Sequence, residues 1–268
     1  MTQPRAQAAE PSFADVLAAL RNSHERFVAS VAPLTDDQLA GRSYASEWTI
    51  AQVASHLGSG AEIFRLHVSA GDRGEEPAGN DTYVPIWDTW NAREPLDQVR
   101  DAVATEAAFL DDVGALSDEE RERWHLDLFG MSLDLAGLLA LRLNEHALHT
   151  WDVTVSFDPA STVPEDATTY VLDALPTVAA WAGKPSEQQV SVEVRTTSPE
   201  RAFHLDLGPG GVSLTPSLDD TDATAVLTLP AEAFVRLVYG RLDADHTPDS
   251  VTATGVDLDL LRTVFPGL

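Results

Sequence analysis

The chain has 268 residues, 43 acidic against 17 basic side chains, a formal charge of −26 and no cysteine. That charge repels nucleic-acid phosphates and anionic membrane surfaces, and a single lysine, Lys184, leaves nothing to assemble into a basic stripe. The missing cysteines exclude disulfides, thiolate metal sites and a protein thiol nucleophile and suit a reducing cytoplasm, so any thiol chemistry needs a thiol from outside the chain.

Met1 to Pro11 carries no apolar run of signal-peptide length and is expected to be a disordered lead-in. From Ser12 to Val31, apolar Phe13, Val16, Leu17, Leu20, Phe27 and Val31 recur at three- and four-residue steps behind a serine cap, which predicts a helix. Thr35-Asp36-Asp37-Gln38 has capping-box spacing for a short helix, and Thr49-Ile50-Ala51-Gln52 repeats it at the head of a long one. Gly71 to Pro85 is rich in Gly, Pro and Asp and predicts a loop, with Trp87 and Trp90 following at a pocket mouth. Leu96, Val99, Val103, Leu110 and Val113 mark a third long helix, and Ser132 is placed to cap a fourth through Leu135, Leu138, Leu139 and Leu143 toward Val153. Its Leu133 to Leu143 stretch is the longest apolar run, yet Asp134 and Arg142 interrupt it far below the roughly 20 residues of a membrane span. Four long helices point to a bundle.

After Trp151 the texture changes. Phe157 to Pro164 is a Pro/Ser/Thr/Asp linker, and Pro164 to Trp181 predicts a helix bent or ended near Pro176. Beyond Lys184-Pro185 the period switches to two, giving strands at Val190 to Val194, Phe203 to Leu207, Val212 to Leu214 and Ala225 to Leu229, with Gly208-Pro209-Gly210-Gly211 as a hairpin turn. Pro230 opens a helix, and a strand near Val251 and a helix over Asp257 to Val264 close the chain. The expected organisation is a lead-in over 1–11, a helical-bundle domain over 12–157 and a smaller α+β domain over 158–268.

On the fourth long helix, Glu145 and His149 stand one turn apart on one face and can grip one ion, while His146 lies about 100° around and cannot share that site easily. Leu138, Leu141 and Leu148 flank that face and turn it inward, where a carboxylate and an imidazole need either each other or an ion. His56, beside Val53 and Leu57 on the second long helix, is the candidate third ligand; the plain alternatives are a hydrogen-bonded core histidine, and for Glu145 and His149 a buried ion pair or a solvated helix face. Two imidazoles and one carboxylate leave coordination positions open, as catalytic zinc sites do. His24, His125, His204 and His246 have no partner at ligand spacing, and His67 has at most a pocket role. A zincin order, a Gly-x-Ser-x-Gly elbow, a phosphate loop and a dinucleotide fingerprint are all absent. Adjacent acid pairs such as Asp36-Asp37, Asp111-Asp112 and Asp219-Asp220 serve solubility.

Leu34-Thr35-Asp36-Asp37, Trp48 to Leu57 and Asn144-Glu145-His146-Ala147-Leu148-His149-Thr150-Trp151-Asp152-Val153 resemble the amino-terminal domain of the mycothiol-dependent maleylpyruvate isomerase family within the DinB-like superfamily. Leu229 to Leu242, a Leu-rich helix ending in Gly240-Arg241, resembles that family's carboxy-terminal domain. The resemblance implies a DinB-like four-helix bundle followed by an α+β, sterol-carrier-like domain. It implies a divalent metal, usually zinc, held by His56, Glu145 and His149, with mycothiol as thiol cosubstrate and a small electrophile as substrate; the lack of a signal-like or membrane-length apolar run gives the separate expectation of a soluble, cytoplasmic protein. Asp152, three after His149, is the candidate to orient a ligand from behind, and Arg241 the candidate catalytic cation for a substrate carboxylate. Arg65 and Arg142 are further candidates to offset the negative charge of such a substrate. Trp48 is expected to pack at the start of its helix. The activities weighed are thiol-dependent isomerisation or S-transfer, against metal-dependent hydrolysis and a non-catalytic module binding a small molecule or lipid.

Overall fold

The computed structural model describes residues 12–45, 47–217 and 223–267; the Met1 to Pro11 lead-in and the Asp219-Asp220 pair lie outside them. The described residues form two compact units, 12–161 and 162–267. No helix among them is long and apolar enough to cross a membrane.

In the first unit, α1 (Phe13–Val31) starts where the Ser12 hydroxyl accepts from the Asp15 amide, and its apolar stripe is buried. α2 (Asp36–Leu39) and α3 (Ile50–Arg73) open on the two predicted capping boxes, Thr35 with Gln38 and Thr49 with Gln52. α3 stops at Gly74, whose φ of 63° is a left-handed conformation that a side chain resists. The predicted loop from Gly71 to Pro85 shrinks to residues 74–79, because α4 (Asn80–Asn91) forms despite Pro85 within it. Packing outweighs the amide hydrogen bond that proline cannot make: Trp90 is buried and its indole N–H donates to Glu62 at 2.8 Å.

α5 (Pro95–Gly114) carries proline in its first turn, where no amide is needed, and α6 (Asp118–Arg123) is capped by Ser117 and Glu120. A hairpin of β1 (Leu126–Leu128) and β2 (Met131–Leu133) precedes α7 (Leu135–Thr154). Ser132 is therefore paired in β2 opposite Asp127 and does not cap the helix; the Asp134 side chain does, accepting from the Gly137 amide at 2.7 Å. α1 and α3 each pack against both α5 and α7, which closes a four-helix ring. Phe27, Leu39, Ile50, Val53, Leu57, Trp90 and Val153 share one apolar cluster of its core.

The second unit opens with α8 (Glu165–Ala182), which runs unbroken through Pro176. Its strands are β3 (Val190–Thr197), β4 (Arg201–Gly208), β5 (Gly211–Pro216), β6 (Ala225–Pro230) and β7 (Thr252–Thr254), in the order β5-β4-β3-β6-β7. β3 and β6 are parallel and the other pairs antiparallel. Register puts Val192 beside Leu205 and Ala225, and Val194 beside Phe203 and Leu227, so one face is a continuous apolar surface. α8 and α9 (Ala231–Val238) pack against the sheet, and α10 (Leu258–Val264) follows. Gly208 pairs with Gly211 across a two-residue turn, as the Gly-Pro-Gly-Gly run predicts.

Candidate metal centre

The capping box at Thr49 fixes the start of α3, and His56 sits less than two turns further along. α7 brings Glu145 and His149 opposite it. His56 Nε2 lies 3.1 Å from Glu145 Oε2, and His149 Nε2 lies 3.8 Å from the same oxygen. Each residue offers one ligand atom, all within 4.8 Å of one another, and the structure records no other such group among the described residues. Two ligand atoms about 2.1 Å from a tetrahedral ion stand roughly 3.4 Å apart, so the observed separations fit a zinc-sized ion with little movement.

The face carrying Glu145 and His149 is part-buried, so the expectation that it points inward holds for His149, 12% exposed, more than for Glu145. The Glu145 side chain is 44% exposed, and Leu141, one turn before it, is only partly covered. The buried side of α7 carries His146, which meets the Ser23 hydroxyl at 2.9 Å and stacks edge-on against Phe27. Burial, reinforced by the Arg142 charge, holds His146 neutral, well below the usual histidine range. It packs on α1 and stays out of the trio, and the latter is what its offset from Glu145 predicts.

Burial alone would raise the Glu145 carboxyl. The hydrogen bond to His56 and the charges of His149, His56 and Arg142 outweigh it and bring the carboxyl down to about 2, so this ligand is anionic over the working pH range. Behind the site, His149 Nδ1 lies 2.8 Å from Asp152 Oδ2, and the Asp152 side chain is fully buried. A carboxylate only accepts, so Nδ1 carries a proton, and the ring presents Nε2 toward Glu145.

Trp48 does more than pack at the helix start. Its ring lies 5.0 Å from that of His56 and 5.7 Å from that of His149, forming one wall of the site. Its backbone is pinned where the Trp48 carbonyl accepts from both the amide and the hydroxyl of Ser43 at 3.0 Å. The spacing of α3 gave no signal for this, since Trp48 precedes the cap.

Two of the proposed cations are already engaged. Arg65 pairs with Asp112 at 2.7 Å, and Arg142 is buried against Glu106. Arg241 belongs to the second unit, where its Nη1 donates to the Tyr239 carbonyl at 3.1 Å. His67 is buried between the edges of Phe64 and Tyr83, which answers the expected pocket role with a core position.

Fold and site together define a two-unit protein: a four-helix bundle that presents a His–Glu–His trio on a part-buried face, and an α+β unit that follows it. The family profile described as the mycothiol maleylpyruvate isomerase N-terminal domain matches residues 20–154, and that of the family's C-terminal domain matches residues 162–263. The chain belongs to the mycothiol-dependent maleylpyruvate isomerase family. Among solved structures, a mycothiol-dependent maleylpyruvate isomerase and a histidine-to-alanine variant of it each superpose with a TM-score of 0.66 at 14% identity, covering 92% of this chain and 95% of theirs. YfiT from Bacillus subtilis, with an unusual four-helix bundle topology, covers 57% of this chain and 90% of its own at 17% identity and a TM-score of 0.43. No curated protein sequence matches the chain.

Proposed function

We propose that the protein is a metal-dependent enzyme that activates a low-molecular-weight thiol, mycothiol, for attack on a small electrophile. His56, Glu145 and His149 hold the ion, and the nitrogen and oxygen donor set suits zinc. When bound, a divalent ion supplies the Lewis acidity that keeps an incoming thiol ionised near neutral pH. The chain supplies the rest. Asp152 keeps the proton of His149 on Nδ1 and the ring in one orientation. Glu145 stays anionic, and Trp48 shields one side of both imidazoles from water. Within the second unit, Arg241 is permanently charged and is the cation proposed to bind a carboxylate.

The thiolate sulfur bonds to an electron-poor double-bonded carbon as the π pair moves onto the conjugated electron-withdrawing group; the adduct then rotates about the resulting single bond and re-forms the double bond by expelling the thiolate, which is isomerisation, or takes up a proton and departs as a conjugate, which is S-transfer. An external thiol is required, because the chain has no cysteine. A cytoplasmic location, where such thiols stay reduced, belongs to the same reading.

The observation that carries this reading is the meeting of three ligand atoms within 4.8 Å in a chain of this family. The test is zinc content after purification without a metal-affinity column. One ion per chain is the expected result, falling below about a tenth of an ion in His56→Ala and His149→Ala as a ligand is lost. Maleylpyruvate turnover that requires mycothiol completes it. Turnover of an ester or amide without thiol supports a hydrolase, and substoichiometric metal that survives both substitutions supports a binding module.

A further inference from the structure

Arg142 and Glu106 are among the least exposed charged side chains in the bundle, at 1% and 3%, and neither is a ligand. Arg142 stands on α7 three residues before Glu145 and seven before His149. Its Nε donates to Glu106 Oε2 at 3.2 Å and Oε1 at 3.3 Å, and its Nη2 donates both to Glu106 Oε2 and to the Leu57 carbonyl at 2.7 Å. Glu106 comes from α5, and Leu57 directly follows His56 on α3. One guanidinium therefore joins three helices beside the trio.

Gly60, one turn beyond His56, gives it room: a Cβ there would lie 2.7 Å from Arg142 Nη1. The Phe64 ring lies 5.6 Å from the guanidinium carbon on a further side. Held in this way, Arg142 is out of reach of a substrate, and stability alone does not explain it. Apolar residues of similar volume generally serve a core as well as a buried ion pair does, because the pair must first be stripped of water. What apolar residues lack is direction. A helix that slips by one residue turns by about 100° and moves by about 1.5 Å. Such a slip would carry Glu145 out of the 3.1 Å contact with His56.

We infer that the Arg142–Glu106 pair is a positioning device, which locks α7 in register against α3 so that Glu145 and His149 converge on His56. The inference rests on the metal-binding reading of the trio. The lock acts through the Leu57 carbonyl, next to one ligand, and through the α7 backbone that bears the other two.

The test is titration of the metal-stripped full chain with cobalt(II), followed by visible absorption, alongside thermal melts. The double variant Arg142→Met/Glu106→Leu removes both charges and keeps the volume. It should melt within about 5 °C of the unaltered protein, bind cobalt about 10- to 100-fold more weakly and show a shifted visible spectrum. Gly60→Ala displaces the guanidinium and leaves both charges in place; it should shift affinity and spectrum in the same direction by less, and it decides the matter if the double variant does not fold. Variants that match the unaltered protein in affinity and spectrum overturn the lock and leave the metal reading standing. An unaltered protein that binds no cobalt overturns the metal reading, and the lock with it.

Discussion

Each unit buries an arginine against a glutamate, and the two pairs are built alike up to a point. In the α+β unit, Arg236 grips Glu232 one turn earlier on α9 through Nε and Nη2, at 2.7 and 2.9 Å, and turns Nη1 to the His246 carbonyl at 2.7 Å. In the bundle, Arg142 reaches across helices to Glu106 and to a carbonyl of α3. Both spend their donors on fixed acceptors, which is what a structural ion pair has to do when buried. The trio of His56, Glu145 and His149 differs: two imidazole nitrogens converge on one carboxylate oxygen at 3.1 and 3.8 Å, on a part-buried face. A guanidinium fixed on neighbouring acceptors holds a fold together, whereas imidazoles and a carboxylate that converge on one point are a donor set that an ion can share.

Three measurements bear on that contrast. The largest effect is expected for Arg236→Ala, which strands the buried Glu232 carboxylate and deprives the His246 carbonyl of its donor. It should cost about 3–5 kcal/mol in denaturant unfolding and leave zinc content unchanged; a variant that unfolds like the parent would break the parallel between the two pairs. Next comes acid. Burial lowers the His67 imidazole from 6.5 to about 4. The unfolded chain thus takes up a proton that the folded bundle refuses across that interval. Stability is intact above the upper value and falls by roughly 3 kcal/mol as the pH drops to the lower one. His67→Phe should remove this part of the slope in urea unfolding of metal-stripped protein, and an unaltered slope would assign it to other groups. Smallest is Asp152→Asn. Without a carboxylate to fix the Nδ1 proton of His149, zinc affinity should fall about 10- to 100-fold in a competition titration. Unchanged affinity would move Asp152 to the structural side of the comparison.

Most of the helices and strands were legible because they obey one period and carry a cap. Thr35 with Gln38 and Thr49 with Gln52 close the boxes their spacing announces, and β3 to β6 follow from alternation alone. The trio was legible for a related reason, since Glu145 and His149 are one turn apart and His56 sits among core residues of α3. What stayed hidden depended on tertiary contacts. α4 has the composition of a loop and is a helix because Trp90 docks. The cap of α7 moved from Ser132 to Asp134 because a hairpin turns at Phe129-Gly130, with φ of 54° and 76°, and phenylalanine does not announce such a turn. The partial exposure of Glu145 was not visible in leucine spacing, because α1 claims the other side of α7 through Ser23 and Phe27. Trp48 lies outside every periodic stretch and is aimed by two hydrogen bonds from Ser43.

His56 and Glu145 stand 89 residues apart in the chain. Closing so long a loop costs entropy that a single weak contact does not recover, so the unfolded chain presents only the isolated Glu145/His149 pair. If the trio holds an ion as proposed, capture follows the docking of α3 on α7, late in folding. Once captured, the ion acts as a clasp between distant parts of the chain, and opening the bundle means releasing it first. Persistence of the folded state would then depend on the free ion concentration around it, rising by RT ln(1 + [ion]/Kd).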